Sequence, residues 1–437
     1  MRLQRALSHT ITTGGTMYEK TVLDNGLRVL SRRMPHTMSA SICIYVGSGS
    51  RYEDDSQAGI SHYVEHMLFK GTPRRPTSID ISGAIEGVGG MINGSTDREL
   101  CSYWCKVALP HFLQGLDVLM DVVFNSLFDA AEVENERTVI QEELGMSNDH
   151  PGYRVDMLID DMMWPNQPLG RDVGGSKESV QDITREMLVD HFTRQYIPSN
   201  MVVSVAGDLP HDQVVEAIAS RVKDQSGGTA LSWHPVVAND VSSPQVRVEH
   251  RKTEQAHLCL GLPGIATDHP DRYALDMMNT VLGEGMSSRL FSEVREKQGL
   301  AYDIHSSVSH LRDTGSIIVY SGVDPKKAAR TVSTILTELE RMKEDVPQGE
   351  LNRGRELAKG RLLLRMEDTR AVAAWAGAQE MLHDRVLTVE DVVEKVDAVT
   401  TDDLKQVANR FLLPEKQSLA VVGPFRSDRR FQNLLKV

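Results

Sequence analysis

The chain has 437 residues, 40% of them hydrophobic and 25% charged, an ordinary globular composition that argues against disordered, collagen-like and coiled-coil proteins. The formal net charge of −13 has the wrong sign for a protein that binds nucleic acid through a general basic surface. The 4 cysteines are too few for a disulfide scaffold, and no apolar run reaches membrane-spanning length, so the sequence predicts a reducing compartment and no membrane association.

The N-terminal residues 1–17 are predicted to be an extension outside the fold. They carry Arg2 and Arg5, several Ser and Thr and no acidic residue, a composition with a faint resemblance to an organelle transit peptide and without the apolar segment of a secretory signal. A start codon upstream of Met17 explains them as well, and we favour that explanation. The expected location is therefore cytoplasmic, of the bacterial type, or an organelle matrix if the extension is a transit peptide.

Strand signals open the first half of the chain. Residues 20–33 are typical of a hairpin around an Asn-Gly turn, and residues 40–50 of a third strand. The pattern then predicts helices at about 59–69, 78–90, 111–125 and 130–147, an extended segment at 92–109, and a helix, strand and helix within 184–222. Because strands and helices occur in runs, an α+β fold is favoured over a doubly wound sheet.

A change of composition divides the chain. Residues 223–245 are rich in Gly, Ser, Pro and Asn and lack a helical period, so they are predicted to be a linker between domains 18–222 and 246–437. The two domains look like diverged copies, since 200–219 matches 417–436 and 40–50 matches 256–266. We therefore expect two homologous domains of roughly 200 residues, each an antiparallel-rich sheet with packed helices, facing each other across a cleft.

The helix predicted at 59–69 carries the residues with the clearest chemistry. His62 and His66 are one turn apart on the same helical face, so their imidazoles can converge on one ion. Glu65 projects beside them, which makes H-x-x-E-H the inverted form of a zinc-protease motif.

The second copy lacks this trio. When Cys43 is aligned with Cys259, the trio falls opposite Met278, Val281 and Leu282. Equivalent helices in two copies of a fold should have similar packing needs, so the polar trio indicates a function confined to the first half.

A catalytic zinc ion needs a third protein ligand, often a carboxylate from another helix. The acidic helix at 130–147 offers Glu136 and Glu143, which lie two turns apart on nearly the same face. Glu143 is the predicted third ligand, with Glu142 as the alternative. Glu136 is predicted to be a nearby carboxylate that orients a ligand or the water.

Three segments, GISHYVEHMLFKGT, ENERTVIQEEL and SSRLFSEVREKQGLAYDIHSS, resemble a known family. In combination they are similar to the zinc peptidases that include pitrilysin, insulin-degrading enzyme and the mitochondrial processing peptidase, in the short single-chain branch of that family. The resemblance implies one Zn²⁺ ion per chain, held by His62, His66 and Glu143, with Glu65 as the general base.

The resemblance also implies functional residues outside the zinc motif. Arg295 and Tyr302 match an Arg and Tyr of the family's second half, where the Arg holds substrate carbonyls and the Tyr hydroxyl stabilises the oxyanion. Asn93 lies in a segment that resembles the family's active-site edge strand, which binds peptides by β-augmentation. Gly94 departs from the Ala usual in that strand.

The expected function is that of a zinc-dependent metalloendopeptidase acting on peptides and unfolded protein segments, with a preference for basic ones. The expected assembly is a homodimer or a pair with a related chain, and closure of the two halves is expected to complete the site. Two alternatives stay open: a non-catalytic structural or partner subunit of the same fold, and a peptide-binding or chaperone-like module that does not cleave.

Overall fold

The computed structural model describes residues 8–10, 18–238 and 242–435. The strands are β1 (Ser8–Thr10), β2 (Glu19–Val22), β3 (Arg28–Arg33), β4 (Ser39–Val46), β5 (Met91–Thr96), β6 (Cys101–Ala108), β7 (Met201–Gly207), β8 (Gln245–His250), β9 (Ala256–Pro263), β10 (Ala301–His310), β11 (Gly315–Val323) and β12 (Ser418–Gly423). The helices of the first half are α1 (Ile60–Leu68), α2 (Ser78–Glu86), α3 (Phe112–Phe124), α4 (Ala130–Asp149), α5 (Pro151–Met163), α6 (Lys177–Asp182), α7 (Arg185–Gln195) and α8 (His211–Ala219). Those of the second half are α9 (Arg272–Gly283), α10 (Ala328–Glu344), α11 (Gln348–Arg365), α12 (Thr369–His383), α13 (Val389–Ala398), α14 (Thr401–Phe411) and α15 (Arg429–Leu435), and a π-helical turn spans Phe291–Lys297.

The strands form two mixed sheets. The first has the order β1-β2-β3-β7-β4-β6-β5 and the second the order β10-β11-β9-β12-β8. In each sheet one neighbouring pair is parallel, β3 with β7 and β12 with β8, and the other described pairs are antiparallel. The predicted α+β class with antiparallel-rich sheets is confirmed.

Strand register shows that the two halves are copies of one fold. Cys43 of β4 lies opposite Ser204 of β7, and Cys259 of β9 lies opposite Ala420 of β12. Ser204 and Ala420 each stand three residues before the glycine that ends their strand. The two sheets therefore repeat the same pairing at the same positions, as the sequence match between the halves predicted.

The helix after the second sheet's β9 has no ligand-type side chains where α1 has its trio. In α9, the three residues aligned with that trio are at most 5% exposed and belong to the second hydrophobic core: Met278, Val281 and Leu282. The second copy thus uses this helix for packing alone at those positions, as expected.

The two compact units are not continuous in sequence, because each contains a helical segment from the other half of the chain. The first unit takes in the chain up to Leu144 together with Asp172–His234 and Leu362–Asp391. The second comprises Gly145–Arg171, Pro235–Arg361 and Val392–Val437. The predicted domains were contiguous, 18–222 and 246–437, whereas in the structure α5 belongs to the second unit and α12 to the first.

The exchange has a packing reason in each unit. Apolar residues of α5 contact Cys259, Ala420 and Val422 of the second sheet. In the first unit, α12 packs on β4 and β7, and a Cβ added at Gly377 would lie 2.6 Å from the Tyr45 ring, so this helix needs a glycine to approach the sheet. With helices on both faces, β7 and β12 are buried along their whole length, which explains their continuous apolar sequence.

The remaining predictions concern the chain ends and the linker. β1 pairs with β2, so three residues of the predicted extension take part in the first sheet, while 1–7 and 11–17 lie outside the described residues. The linker residues 223–238 and 242–244 form no helix or strand. Among the described residues, no helix is long and apolar enough to cross a membrane.

Candidate metal centre

The start of α1 is fixed by a glycine and a glutamate. Gly59 has φ +94°, a left-handed conformation that favours glycine, and a Cβ there would lie 2.4 Å from the carbonyl oxygen of Gly174. The Glu53 carboxylate accepts hydrogen bonds from the backbone N–H groups of Gly59 (2.8 Å) and Ser61 (2.9 Å). These bonds satisfy donors that the first helical turn leaves unpaired and set the direction of α1.

The opposite faces of α1 have different tasks. One face is buried in the first core: Ile60, Tyr63, Val64, Met67 and Leu68. The other turns His62 and His66 outward, with 16% and 20% of their side chains exposed. Their Nε2 atoms lie 3.2 Å apart, and the rings meet edge to face at an angle of 75°.

Glu143 of α4 completes a group of three ligand-type side chains. Its Oε2 lies 3.6 Å from Nε2 of His66 and 3.9 Å from Nε2 of His62, and 53% of its side chain is exposed. One ligand atom from each of the three residues lies within 4.8 Å of the others. The alternative, Glu142, is not part of this group in the described part of the chain.

The donor set fits a zinc ion. Zinc takes imidazole nitrogen and carboxylate oxygen at about 2.0–2.2 Å, which places two ligands of a tetrahedral ion about 3.3 Å apart. The observed separations of 3.2, 3.6 and 3.9 Å are close to that value. Burial, and secondly the neighbouring His66, lower the pKa of His62 to about 4, so this imidazole is neutral at neutral pH, the form that binds metals.

Glu136 contacts the Nδ1 atom of His66, on the side of the ring away from the ligand cluster. Its Oε2 lies 2.9 Å from Nδ1 of His66, and its Oε1 lies 2.5 Å from Nζ of Lys70. Burial alone would raise the pKa of Glu136, but the hydrogen bonds from His66 and Lys70 outweigh it, and the pKa lies below its usual value. A carboxylate that accepts the Nδ1 proton leaves the Nε2 lone pair directed at the ligand cluster.

Lys70 was missed by the sequence analysis. It follows His66 by four residues, one helical turn, just beyond the end of α1. That spacing was a usable signal, because a cation one turn from His66 can reach the same carboxylate. Lys70 keeps Glu136 ionised and so supports the orientation of His66.

Glu65 lies beside the histidines and contacts β5. Its Oε2 accepts a hydrogen bond of 2.6 Å from the Thr96 hydroxyl. Burial raises the pKa of Glu65, and the Thr96 hydrogen bond partly opposes that rise. A raised pKa suits a carboxylate that takes up a proton near neutral pH.

β5 is an edge strand, and it carries Asn93. The strand is the last in the order of its sheet and pairs with β6. The Asn93 side chain is exposed, and its Oδ1 accepts from the backbone N–H of Gly94 at 2.8 Å. Asn93 therefore stays outside the cluster of His62, His66 and Glu143 and belongs to the open strand edge.

Arg295 and Tyr302 lie in the second compact unit, and the structure brings them together with each other. The Arg295 guanidinium stands 5.1 Å from the centre of the Tyr302 ring and 4.7 Å from that of Phe291. Tyr302 is 76% exposed at the start of β10. The exposed phenol is open to a ligand, and the stacked guanidinium limits its rotation.

Comparison with known proteins identifies the family to which the two halves are similar. The family model for insulinase, peptidase family M16, matches residues 28–177, and the model for the peptidase M16 inactive domain matches residues 182–357. An uncharacterized zinc protease of Streptomyces coelicolor is 36% identical over 414 residues, which is 93% of this chain and 90% of that protein.

Two solved structures share the fold. A protease from Helicobacter pylori superposes with a TM-score of 0.88 at 23% identity, covering 93% of this chain and 99% of that chain. A chain described as the peptidase M16 inactive domain from Pseudomonas fluorescens superposes with a TM-score of 0.86 at 20% identity, covering 94% and 98%. At these identities the likeness concerns the fold, in agreement with the two repeated halves.

Proposed function

The chain belongs to the insulinase family of peptidases, family M16, and on that premise we propose that it is a zinc-dependent metalloendopeptidase. One observation carries the proposal: two imidazole Nε2 atoms 3.2 Å apart, with the Glu143 carboxylate beside them and a Glu65 carboxylate on the same helix. In the proposed site, His62, His66 and Glu143 hold one zinc ion per chain. The bound ion supplies Lewis-acid polarisation of the scissile carbonyl and of a water molecule.

Glu65 performs the proton transfers in this proposal. Its carboxylate takes a proton from the attacking water and gives it to the leaving amine. Burial raises its pKa towards the range in which both transfers are efficient. Glu136 and Lys70 keep His66 in the tautomer that leaves Nε2 free.

The substrate is a peptide or an unfolded protein segment. β5 is an open edge, so an extended peptide can add to the sheet through main-chain hydrogen bonds near Asn93, and such bonds tolerate many sequences. From the family resemblance, Arg295 binds substrate carbonyls and the Tyr302 hydroxyl donates to the developing oxyanion. The net charge of −13 favours basic substrates, a preference that should weaken at high salt.

The assembly and location complete the proposal. We propose a homodimer, or a pair with a related chain, in the cytoplasm, with neither nucleic acid nor membrane as a partner. These proposals rest on the resemblance and on composition, and size measurements on the purified protein test the first of them directly.

A non-catalytic role is the alternative, and a specific observation favours it. The second half matches a family model described as the peptidase M16 inactive domain, and one structural neighbour carries the same description. The first half, however, keeps the complete trio and the third carboxylate in one cluster. We therefore prefer the peptidase to a structural subunit or a peptide-binding module.

Digestion of an unbiased peptide library, read by mass spectrometry, tests the proposal. We expect new peptide ends after incubation with the purified protein, their loss with a chelator and their return when zinc is restored. Raising the salt concentration should reduce cleavage of Arg-rich peptides more than that of acidic ones. A protein that binds no zinc and leaves the library intact would establish the non-catalytic alternative.

A further inference from the structure

The strand proposed to bind the peptide also contacts the proposed base. Alternate residues of β5 face opposite sides of its sheet: Asn93 and Ser95 are exposed, whereas Gly94 and Thr96 are half-buried. The half-buried residues are the ones that meet Glu65. One strand therefore presents a peptide-binding edge and, on its inner side, the surroundings of a catalytic carboxylate.

Thr96 engages one oxygen of that carboxylate. Its hydroxyl donates to Oε2 of Glu65 at 2.6 Å, the length typical of a hydrogen bond from a hydroxyl to an ionised carboxylate. The next polar contact of this hydroxyl, to the Cys101 thiol, is much longer at 3.6 Å. Because Oε2 already accepts a hydrogen bond from Thr96, it is the poorer of the two oxygens for taking a proton from water.

Gly94 leaves room for the other oxygen of the carboxylate. A Cβ at Gly94 would lie 3.1 Å from Oε1 of Glu65 and 3.0 Å from the Phe69 ring, tighter than ordinary contacts. Without a side chain at this position, β5 can pass close to Glu65 while Oε1 keeps its place. The two oxygens thus differ: Oε2 accepts the hydrogen bond from the Thr96 hydroxyl, whereas Oε1 lies close to Gly94.

We propose that Thr96 is a positioning residue, which anchors Oε2 of Glu65 so that Oε1 carries out the proton transfers. This inference rests on the proposed peptidase function. Because Thr96 and the peptide-binding edge belong to one strand, the Thr96 hydrogen bond links the Glu65 carboxylate directly to the strand with which a peptide would pair. The proposal gives β5 a second role besides binding the substrate.

Three variants test the proposal. Thr96→Val keeps the shape and removes the hydroxyl, and Thr96→Ser keeps the hydroxyl. Thr193→Val is a control at an exposed position of α7, where the hydroxyl donates to the Val189 carbonyl one turn away. We expect Thr96→Val to lower kcat by roughly tenfold to a hundredfold, since a misplaced catalytic group has effects of that order, with KM and zinc content unchanged. Thr96→Ser should restore most of kcat, and the control should match the wild type.

A spectroscopic measurement separates this proposal from the proposed function. The ¹³C carboxyl signal of Glu65, assigned by its disappearance in Glu65→Gln, should shift in Thr96→Val and return in Thr96→Ser. If the wild type cleaves no peptide, the peptidase proposal fails, while the signal still decides whether Thr96 holds Glu65. An unshifted signal, wild-type kcat in Thr96→Val, or a loss confined to KM or zinc binding would overturn the proposal.

Discussion

The two histidines of α1 are held in different ways. His66 has the Glu136 carboxylate behind its Nδ1, whereas the buried Nδ1 of His62 has no hydrogen-bond partner among the described residues. The orientation of His62 therefore comes from packing and from the metal it would bind. Removing the charge of the third proposed ligand, Glu143, should therefore weaken metal binding more than it weakens folding.

The proposed role of Glu143 as a zinc ligand can be tested against its neighbour Glu142, which lies outside the ligand cluster among the described residues. We expect Glu143→Gln to weaken zinc affinity by about 100-fold or more, since even indirect supporting residues contribute 10- to 100-fold. Stability should change little, because the side chain is 53% exposed. Zinc titration of the apo-protein measures the effect.

Glu142→Gln is the matched control, since it removes the adjacent carboxylate from an exposed position of the same helix. Its zinc affinity should equal that of the wild type. The opposite result, with loss in Glu142→Gln alone, would assign the ligand to the alternative carboxylate.

Some of these functional residues could be predicted from the sequence, because their spacing along a helix is a local pattern. His62, Glu65, His66 and the pair Glu136 and Glu143 follow from spacing on two helices, which local periodicity reveals. The contact of Thr96 with Glu65 joins a strand to a helix 31 residues away in the chain, and no local pattern encodes such a pairing. Tertiary contacts of this kind appear only in the folded structure.

Among the helices and strands, the start of α1 at Gly59 determines the positions of His62 and His66. Gly59 combines a left-handed φ of +94° with a backbone oxygen 2.4 Å from the position of a Cβ. Gly59→Ala should therefore destabilise the protein by about 2 kcal/mol or more, through strain and displacement of the 174–175 loop. Urea unfolding measures the change.

Gly83→Ala provides the contrast for this prediction. Gly83 lies inside α2, and an added Cβ would meet nothing within 4 Å. Alanine has the higher helix propensity, so this variant should be more stable by about 0.5–1 kcal/mol. Equal shifts in both variants would show that Gly59 has no special role in starting α1.

The exchange of helices marks the limit of sequence reasoning about elements. Helix α5 was not predicted from the sequence, although its apolar residues Val155, Leu158, Ile159 and Met162 lie on one face. The same pattern would suit either sheet, because both sheets have continuous apolar strands. The pattern shows that a face is buried and does not identify its partner.

The whole molecule consists of two copies of one fold that carry different candidate functional residues. The strand order β3-β7-β4-β6-β5 of the first sheet is repeated in the second as β8-β12-β9-β11-β10, yet the trio of the first half is replaced in the second by core residues. The second unit instead carries the exposed Tyr302 stacked with Arg295. The proposed function thus assigns metal chemistry to one copy and oxyanion stabilisation to the other.

Tyr302→Phe tests this division. Loss of one oxyanion donor should lower kcat by roughly 100-fold, while zinc content stays as in the wild type because no ligand is altered. Turnover of a quenched peptide together with metal analysis measures both quantities. Wild-type turnover in Tyr302→Phe would remove the second copy's tyrosine from the mechanism.

In the proposed function, Glu65 acts with a zinc ion held by His62, His66 and Glu143 to hydrolyse peptide bonds. The most direct measurement compares peptide turnover and zinc stoichiometry in Glu65→Gln and in the wild type. We expect the variant to bind one zinc ion per chain, as the wild type should, and to turn over peptide at least about 100-fold more slowly, because proton transfer is lost. A Glu65→Gln protein with bound zinc and unchanged peptide turnover would contradict the proposed function.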